Sequence, residues 1–205
     1  MLKDLTIIDY LAKTASGDPT PGGGSIAALC AAAAAGLSEM VANLTVGKKE
    51  YESVAAAMKQ TAAAASELRN KMIAAIDRDP EAYNTVIAAF KLPKSTDEEK
   101  RRRVRAIQDA LKDAAIIPMG VAEDAYQIMK LAQAVIAKGN RNAVTDGAVA
   151  VMAARTAALG AIYNVKINLR SIKDRAFVQK LSQKTRALEN KIHAKEKEIL
   201  AEADL

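Results

Sequence analysis

The chain reads as an all-α protein: a multi-helix bundle of about seven helices, several of them long and Ala-rich, that dimerises. Three observations predict this. Runs of β-branched or aromatic residues with period two are scarce, so strand signals are poor. Half of the 205 residues are hydrophobic, yet only 3% are aromatic and none is Trp, because alanine supplies much of the apolar fraction. Small side chains let helices approach closely but bury little area each, which gives the chain reason to cover more surface with a second copy of itself. By length, residues 1–205 are one helical domain.

The first helix is expected from about Asp4 to Thr14, with Leu5, Ile8, Leu11 and Ala12 on one face. Ser16-Gly17-Asp18-Pro19 ends it, and Pro19-Thr20-Pro21-Gly22-Gly23-Gly24-Ser25 follows. A second helix is expected from Ser25, as its cap, to about Val46, stopping at Gly47. A third runs from about Glu50 to Ile76. Asp79 then reads as an N-cap, with Pro80 in the first turn of a short fourth helix that ends near Phe90, before Pro93. Thr96 and Glu99 form a capping box for a long fifth helix reaching about Lys138, which Pro118 should kink or split at Ile117. Gly139-Asn140 is a stop, and a sixth helix spans about Asn142 to Val165. The seventh, from about Ser171 to Ala203, is charged on one side and carries the heptad-like set Phe177, Leu181, Leu188, Ile192 and Ile199.

Composition excludes several classes of function. The net charge of +6 is moderately basic, but much of the excess sits in Arg101, Arg102, Arg103, Arg105 and the Lys-rich C-terminus, where solvated helix faces explain it. Aromatics for stacking bases are nearly absent, so no nucleic-acid partner is expected. Residues 19 to 38 carry no charge and are long enough for a membrane span, but prolines, glycines and alanines leave few long aliphatic groups to drive insertion. A buried bundle helix is expected there, and no membrane partner. The single Cys30 rules out a disulfide framework and a Cys-based metal site, which fits a reducing, cytoplasmic compartment. Met1-Leu2-Lys3-Asp4 lacks a signal-peptide pattern. The one histidine, His193, lies among Lys191, Lys195 and Lys197, so it reads as exposed. A Ser-His-Asp triad and a His-rich metal site are therefore not expected, and acid–base chemistry falls to carboxylates, Lys, Tyr or backbone groups.

Four places carry polar residues in patterns that a plain bundle does not need. Gly22, Gly23 and Gly24 leave the backbone bare before a helix N-terminus, a cradle for an anionic or strongly hydrogen-bonding ligand. No strand precedes them and no G-x-G-x-x-G is present, so this is not a dinucleotide fingerprint. Asn43, Lys48, Lys49 and Tyr51 cluster where one helix closes and the next opens. Cations there can simply cap a helix, or can hold carboxylates. Arg141 and Asp146 flank the start of the sixth helix, where Asp146 has the small neighbours Ala143, Gly147, Ala150 and Val151. A carboxylate on such a buried face needs partners and is a candidate proton-transfer group. Asn164 and Asn168, four apart, either hydrogen-bond a heterocycle or cap a helix end.

Taken in order along nearly the whole chain, these motifs resemble the formiminotetrahydrofolate cyclodeaminase / methenyltetrahydrofolate cyclohydrolase family. The resemblance rests on Pro19 to Ser25 with Ala27-Ala28, on Met40-Val41-Ala42-Asn43-Leu44-Thr45 with Gly47-Lys48-Lys49 and Tyr51, and on Asp79 to Tyr83 with Ala89-Phe90-Lys91-Leu92-Pro93. It continues through Pro118, Gly139-Asn140 with Thr145-Asp146, and Asn164-Val165-Lys166-Ile167-Asn168-Leu169. It implies an all-helical homodimer that acts on tetrahydrofolate derivatives with neither metal nor other cofactor. The family closes N10 of 5-formiminotetrahydrofolate onto the formimino carbon with release of ammonia, or opens the methenyl bridge with water to give 10-formyltetrahydrofolate. On that reading Asp146 and Lys48 are the catalytic pair. Gly22, Gly23, Gly24, Ser25, Asn43, Lys49, Tyr51, Arg141, Asn164 and Asn168 bind substrate, with the cations on a glutamate tail that is in some folates a polyglutamate. A helical interaction protein, or a folate-binding relative without turnover, is the alternative.

A helix from Ser25 to Val46 would be roughly 33 Å long, which sets the glycine loop and the lysine cluster at opposite ends of it. In an antiparallel two-fold dimer the glycine end of one copy can meet the lysine end of the other. The sequence therefore predicts a site shared between subunits.

Overall fold

The computed structural model describes residues 1–202, and the expected end of the last helix at Ala203 lies outside them. The described residues contain no strand and six α-helices: α1 (Ile7–Thr14), α2 (Gly23–Thr45), α3 (Ala55–Phe90), α4 (Asp97–Lys138), α5 (Val144–Leu169) and α6 (Arg175–Glu202). Alanine and mid-sized aliphatics fill the core, among them Ala28, Ala31, Ala35, Ala122, Ala154 and Ala158 beside Met72, Ile128, Met129 and Ile162. α2 and α5 lie side by side and antiparallel at its centre. Gly160 of α5 passes close to Ala27 of α2, and at the far end the Asn140 N–H donates to Thr45 Oγ1 at 2.8 Å. Each is long and apolar enough to cross a membrane, but more than half of its apolar window is buried among the other helices.

The seven expected helices are six because Pro80 does not break α3. A proline inside a helix removes one N–H and so orphans the carbonyl four residues before it. For Pro80 that is Ile76 O, and the Ser25 hydroxyl of α2 donates to it at 2.8 Å in a fully buried position. The same arrangement recurs at Pro118, which does not split α4: the orphaned carbonyl is Ala114 O, and Asn168 Nδ2 of α5 donates to it at 2.7 Å. Both prolines are thus kept inside helices by a polar side chain from a neighbouring helix. Losing such a donor leaves a buried acceptor unsatisfied, at a cost of about 1–3 kcal/mol. Ser25→Ala is accordingly expected to lower Tm, whereas in a Pro80→Ala background, which restores the N–H, the same change should cost less. A double-mutant cycle by thermal denaturation measures that coupling.

Several boundaries differ for related reasons. α2 begins at Gly23 with Gly22 as its cap, so Ser25 is not the cap but a buried residue of the first turn. Lys49–Val54 form a 3-10 helix, and α3 proper starts at Ala55 rather than Glu50. Asp79 is no N-cap, since the helix runs through it. α5 continues past Val165 to Leu169, which sets Asn164 and Asn168 on one helix, and α6 starts at Arg175 rather than Ser171. The Thr96–Glu99 capping box is present in both directions, and Gly47 adopts φ +86° after α2. Ile192 and Ile199 are fully buried and Leu181 and Leu188 nearly so, as their heptad-like spacing predicts, and His193 is exposed.

The apolar face of the first helix is the clearest departure. Leu5, Ile8, Leu11 and Ala12 face outward, with Ile8 79% exposed, and the one buried residue of α1 is Tyr10.

Candidate active site

The glycine end is built around Asp79. A Cβ on Gly24 would overlap the Asp79 carboxyl group, so glycine is needed there for close approach. The Ser25 backbone N–H donates to that carboxylate, which lies in the first turn of α2, where the positive end of the helix dipole favours an anion. The helix N-terminus, read from sequence as a cradle for an external anion, therefore already holds an anion of the protein's own. Burial nevertheless raises the Asp79 pKa above the usual carboxylate range, with the Ser25 bond opposing it. The Tyr10 hydroxyl is buried beside Ser25 and accepts no hydrogen bond from it, because the Ser25 hydroxyl is turned to Ile76 O. Burial and the nearby Asp79 and Asp77 push the Tyr10 pKa up. Asp77, also buried, accepts the Leu2 N–H at 2.6 Å through Oδ1, while Oδ2 has no partner. A cleft of about 420 Å³ opens beside Asp77 and Pro80, with Lys13, Thr20 and Asn84 on its walls. Asn164 completes this end: its Nδ2 donates to Gly160 O at 2.9 Å and faces Gly23, which is exposed.

The lysine end is held by hydrogen bonds between the chain reversals after α2 and after α4. The Arg141 N–H donates to the Tyr51 hydroxyl at 3.1 Å, and Asn140 Nδ2 donates to Leu44 O at 3.3 Å. Tyr51, Lys138, Gly139, Arg141 and Val144 line a cleft of about 380 Å³. A second hollow of about 280 Å³ is bounded by Gly47, Lys48, Lys49 and Glu52. Asn43, Lys48, Lys49 and Arg141 are exposed, whereas Asp146 is half-buried in the first turn of α5 over the buried Ala143, Gly147 and Ala150.

The two clusters do not meet within one protomer. α2 has 23 residues, so roughly 34 Å of helix separates Gly23 from Thr45. α5 carries Asp146 at the lysine end and Asn164 at the glycine end. Of the expected binding residues, Ser25 and Asn168 are brought to positions where their side chains already satisfy the two proline-orphaned carbonyls. Gly24 is covered by Asp79, and Gly22 and Gly23 keep partly or fully open backbone. Sequence reasoning missed Asp79, Asp77 and Tyr10. The available signal was two aspartates just before a proline that interrupts no apolar periodicity, from Met72, Ala75 and Ile76 onward to Ala89.

Fold and site together define an all-helical protein with one polar cluster at each end of a small-residue helix pair. A family model described as formiminotransferase-cyclodeaminase matches residues 6–187. The chain is 40% identical to the methenyltetrahydrofolate cyclohydrolase of Methylorubrum extorquens, over 85% of this chain and 84% of that one. It is 31% identical to the formimidoyltransferase-cyclodeaminase of Rattus norvegicus over 91% of its own length, and spans 35% of that longer protein. The crystal structure of formiminotetrahydrofolate cyclodeaminase from Thermotoga maritima superposes with a TM-score of 0.89 at 29% identity, covering 100% of this chain and 98% of that one. The chain belongs to the formiminotransferase-cyclodeaminase family.

Proposed function

We propose that this protein is a folate one-carbon enzyme that closes or opens the N5–N10 methenyl bridge of tetrahydrofolate. The observation that carries this reading is the 40% identity to a methenyltetrahydrofolate cyclohydrolase along most of both chains. Cyclodeamination of 5-formiminotetrahydrofolate and hydrolysis of the methenyl compound share a tetrahedral carbon between N5 and N10 beside cationic, amidine-like states. One constellation serves both: a carboxylate against the cation, a group that moves protons, and donors that orient the pterin.

The working unit is a homodimer. The outward face of α2 is mostly apolar, with Leu29, Ala33, Met40 and Leu44 exposed beside Asn43, and that of α5 carries Val149, Met152, Thr156, Tyr163 and Ile167. Apart from Asp146 at the start of α5, the charged residues of these helices are turned aside and paired: Glu39 with Arg69 at 2.8 Å, Arg155 with Glu196, and Lys166 with Glu189 at 2.7 Å. Ala33 and Thr156 lie near the midpoints of α2 and α5, so each stripe extends to both sides of a point where the self-complementary contact of a two-fold axis can fall. An antiparallel pairing brings Gly23 and Asn164 of one copy to the Lys48 and Asp146 end of the other. Asp146 then faces the cationic carbon, Lys48 lies beside it, and Lys49 and Arg141 hold the glutamate tail of the substrate.

Absorbance at the methenyltetrahydrofolate band tests the reading with two substrates in parallel. Growth of the band from 5-formiminotetrahydrofolate, with ammonia release, makes the protein a cyclodeaminase. Faster loss from the methenyl compound makes it a cyclohydrolase. No change above the uncatalysed rate in either leaves a non-catalytic helical protein and overturns the proposal.

A further inference from the structure

We infer that Asp79 is the carboxyl group that carries the proton in this reaction, presented to substrate across the bare first turn of α2; the inference rests on the folate reading above. Three features of its setting are hard to account for as packing. Asp79 lies within α3, yet its carboxyl group is set against the backbone of a different helix, where Gly24 has no side chain to exclude it and Ser25 donates its N–H. The pieces that fix this contact converge on one point: Pro80, next to Asp79, orphans Ile76 O, and the residue whose N–H holds Asp79 is the one whose hydroxyl caps that carbonyl. The carboxyl group remains half-buried rather than sealed, beside the exposed backbone of Gly23.

The titratable groups around it favour a proton carrier over a fixed anion. Tyr10 of α1, a residue 5% exposed, presents a buried hydroxyl without a partner, and Asp77 of α3 a buried unpartnered Oδ2. Next to Tyr10 lies Cys30 of α2, a thiol whose pKa burial raises. Lys13 of α1 lies toward Asp18 at 4.0 Å. A carboxyl group in such company holds a proton more tightly than one in water, which suits it to accept one from substrate and return it.

In the closing direction the formimino group reacts as its amidinium cation: N10 attacks the formimino carbon, leaving a neutral amino group on it, and the N10 proton passes to the Asp79 carboxylate. Asp79 then protonates the amino nitrogen, the C–N bond breaks, ammonia leaves and the carboxylate is regenerated. In the opening direction water adds to the methenyl carbon and gives Asp79 a proton. That proton goes to N5 as the C–N5 bond breaks, and the hydroxyl proton is released to solvent as the formyl group forms. Both cycles return Asp79 to its starting state.

Asp79→Asn tests this in the full chain. The amide oxygen still accepts the Ser25 N–H, so the fold should persist. Because burial raises the folded-state pKa of Asp79, its contribution to stability is present below the unfolded pKa and lost as pH rises through the folded one. At pH 7 the neutral Asn is therefore expected to leave Tm unchanged or higher. The expected result is a kcat lower by about 10²- to 10⁴-fold, with KM within about threefold of wild type. Asp79→Ala should regain turnover with added formate, which a merely structural role would not allow. An Asp79→Asn kcat within about threefold of wild type, where wild type is active, overturns the inference alone. An inactive wild type overturns the folate reading and the inference with it. If Asp79→Asn does not fold, Asp79→Glu decides: a displaced acid limb of the pH–rate profile supports the assignment, and an unchanged profile overturns it.

Discussion

Ala33→Arg or Thr156→Arg is expected to convert the protein to a monomer with at least about 100-fold less turnover. Both positions are exposed in the protomer, so neither change disturbs its core. Both lie near the midpoints of their helices, where a two-fold axis sets each residue close to its own copy. The interface would then bury two like charges, each without a partner, at several kcal/mol per ion. Sedimentation velocity gives the mass, far-UV circular dichroism confirms retained helix, and the methenyl assay gives turnover. A monomer of full activity would contradict the shared site, and an intact dimer would contradict the placement of the interface.

Gly24→Ala is expected to have the next largest effect, through two routes at once. The added methyl group collides with the Asp79 carboxyl group, and overpacking of this kind costs about 1–3 kcal/mol. It also pushes that carboxyl group off the Ser25 N–H, so kcat should fall by more than the loss of stability explains. Gly120→Ala is the contrasting change. It lies inside α4 with no atom within 4 Å of the added Cβ, and should stabilise by about 0.5–1 kcal/mol without affecting turnover. Equal Tm for Gly24→Ala and wild type would mean that the Asp79 contact is not tight. The pair separates helix propensity from the need for a bare backbone.

Local signals were legible where local physics decides. The Thr96–Glu99 box, the stop at Gly47 and the buried spacing of Leu181, Leu188, Ile192 and Ile199 depend on residues within a turn or two of each other. The continuity of α3 and α4 was not legible, because what permits Pro80 and Pro118 inside a helix is Ser25, 51 positions before Ile76, and Asn168, 54 positions after Ala114. Ser25 and Asn168 looked like ligand groups for the same reason: their acceptors are distant in sequence. The outward face of α1 escaped the pattern because periodicity identifies an apolar face without saying what covers it. Asp79 was hidden behind an ordinary capping reading, which holds only if a helix begins at Pro80.

The most direct test of the shared site mixes two inactive proteins. Asp79→Asn damages the glycine end and Lys48→Ala the lysine end. In a mixed dimer one site carries both defects and the other carries neither. Statistical exchange of subunits makes half of the dimers mixed, so turnover should return to about a quarter of wild type on unfolding and refolding the two together. Recovery to that level would place one catalytic site across two copies of the chain. Turnover that stays at the level of the two variants alone would put each site within a single protomer and contradict the account.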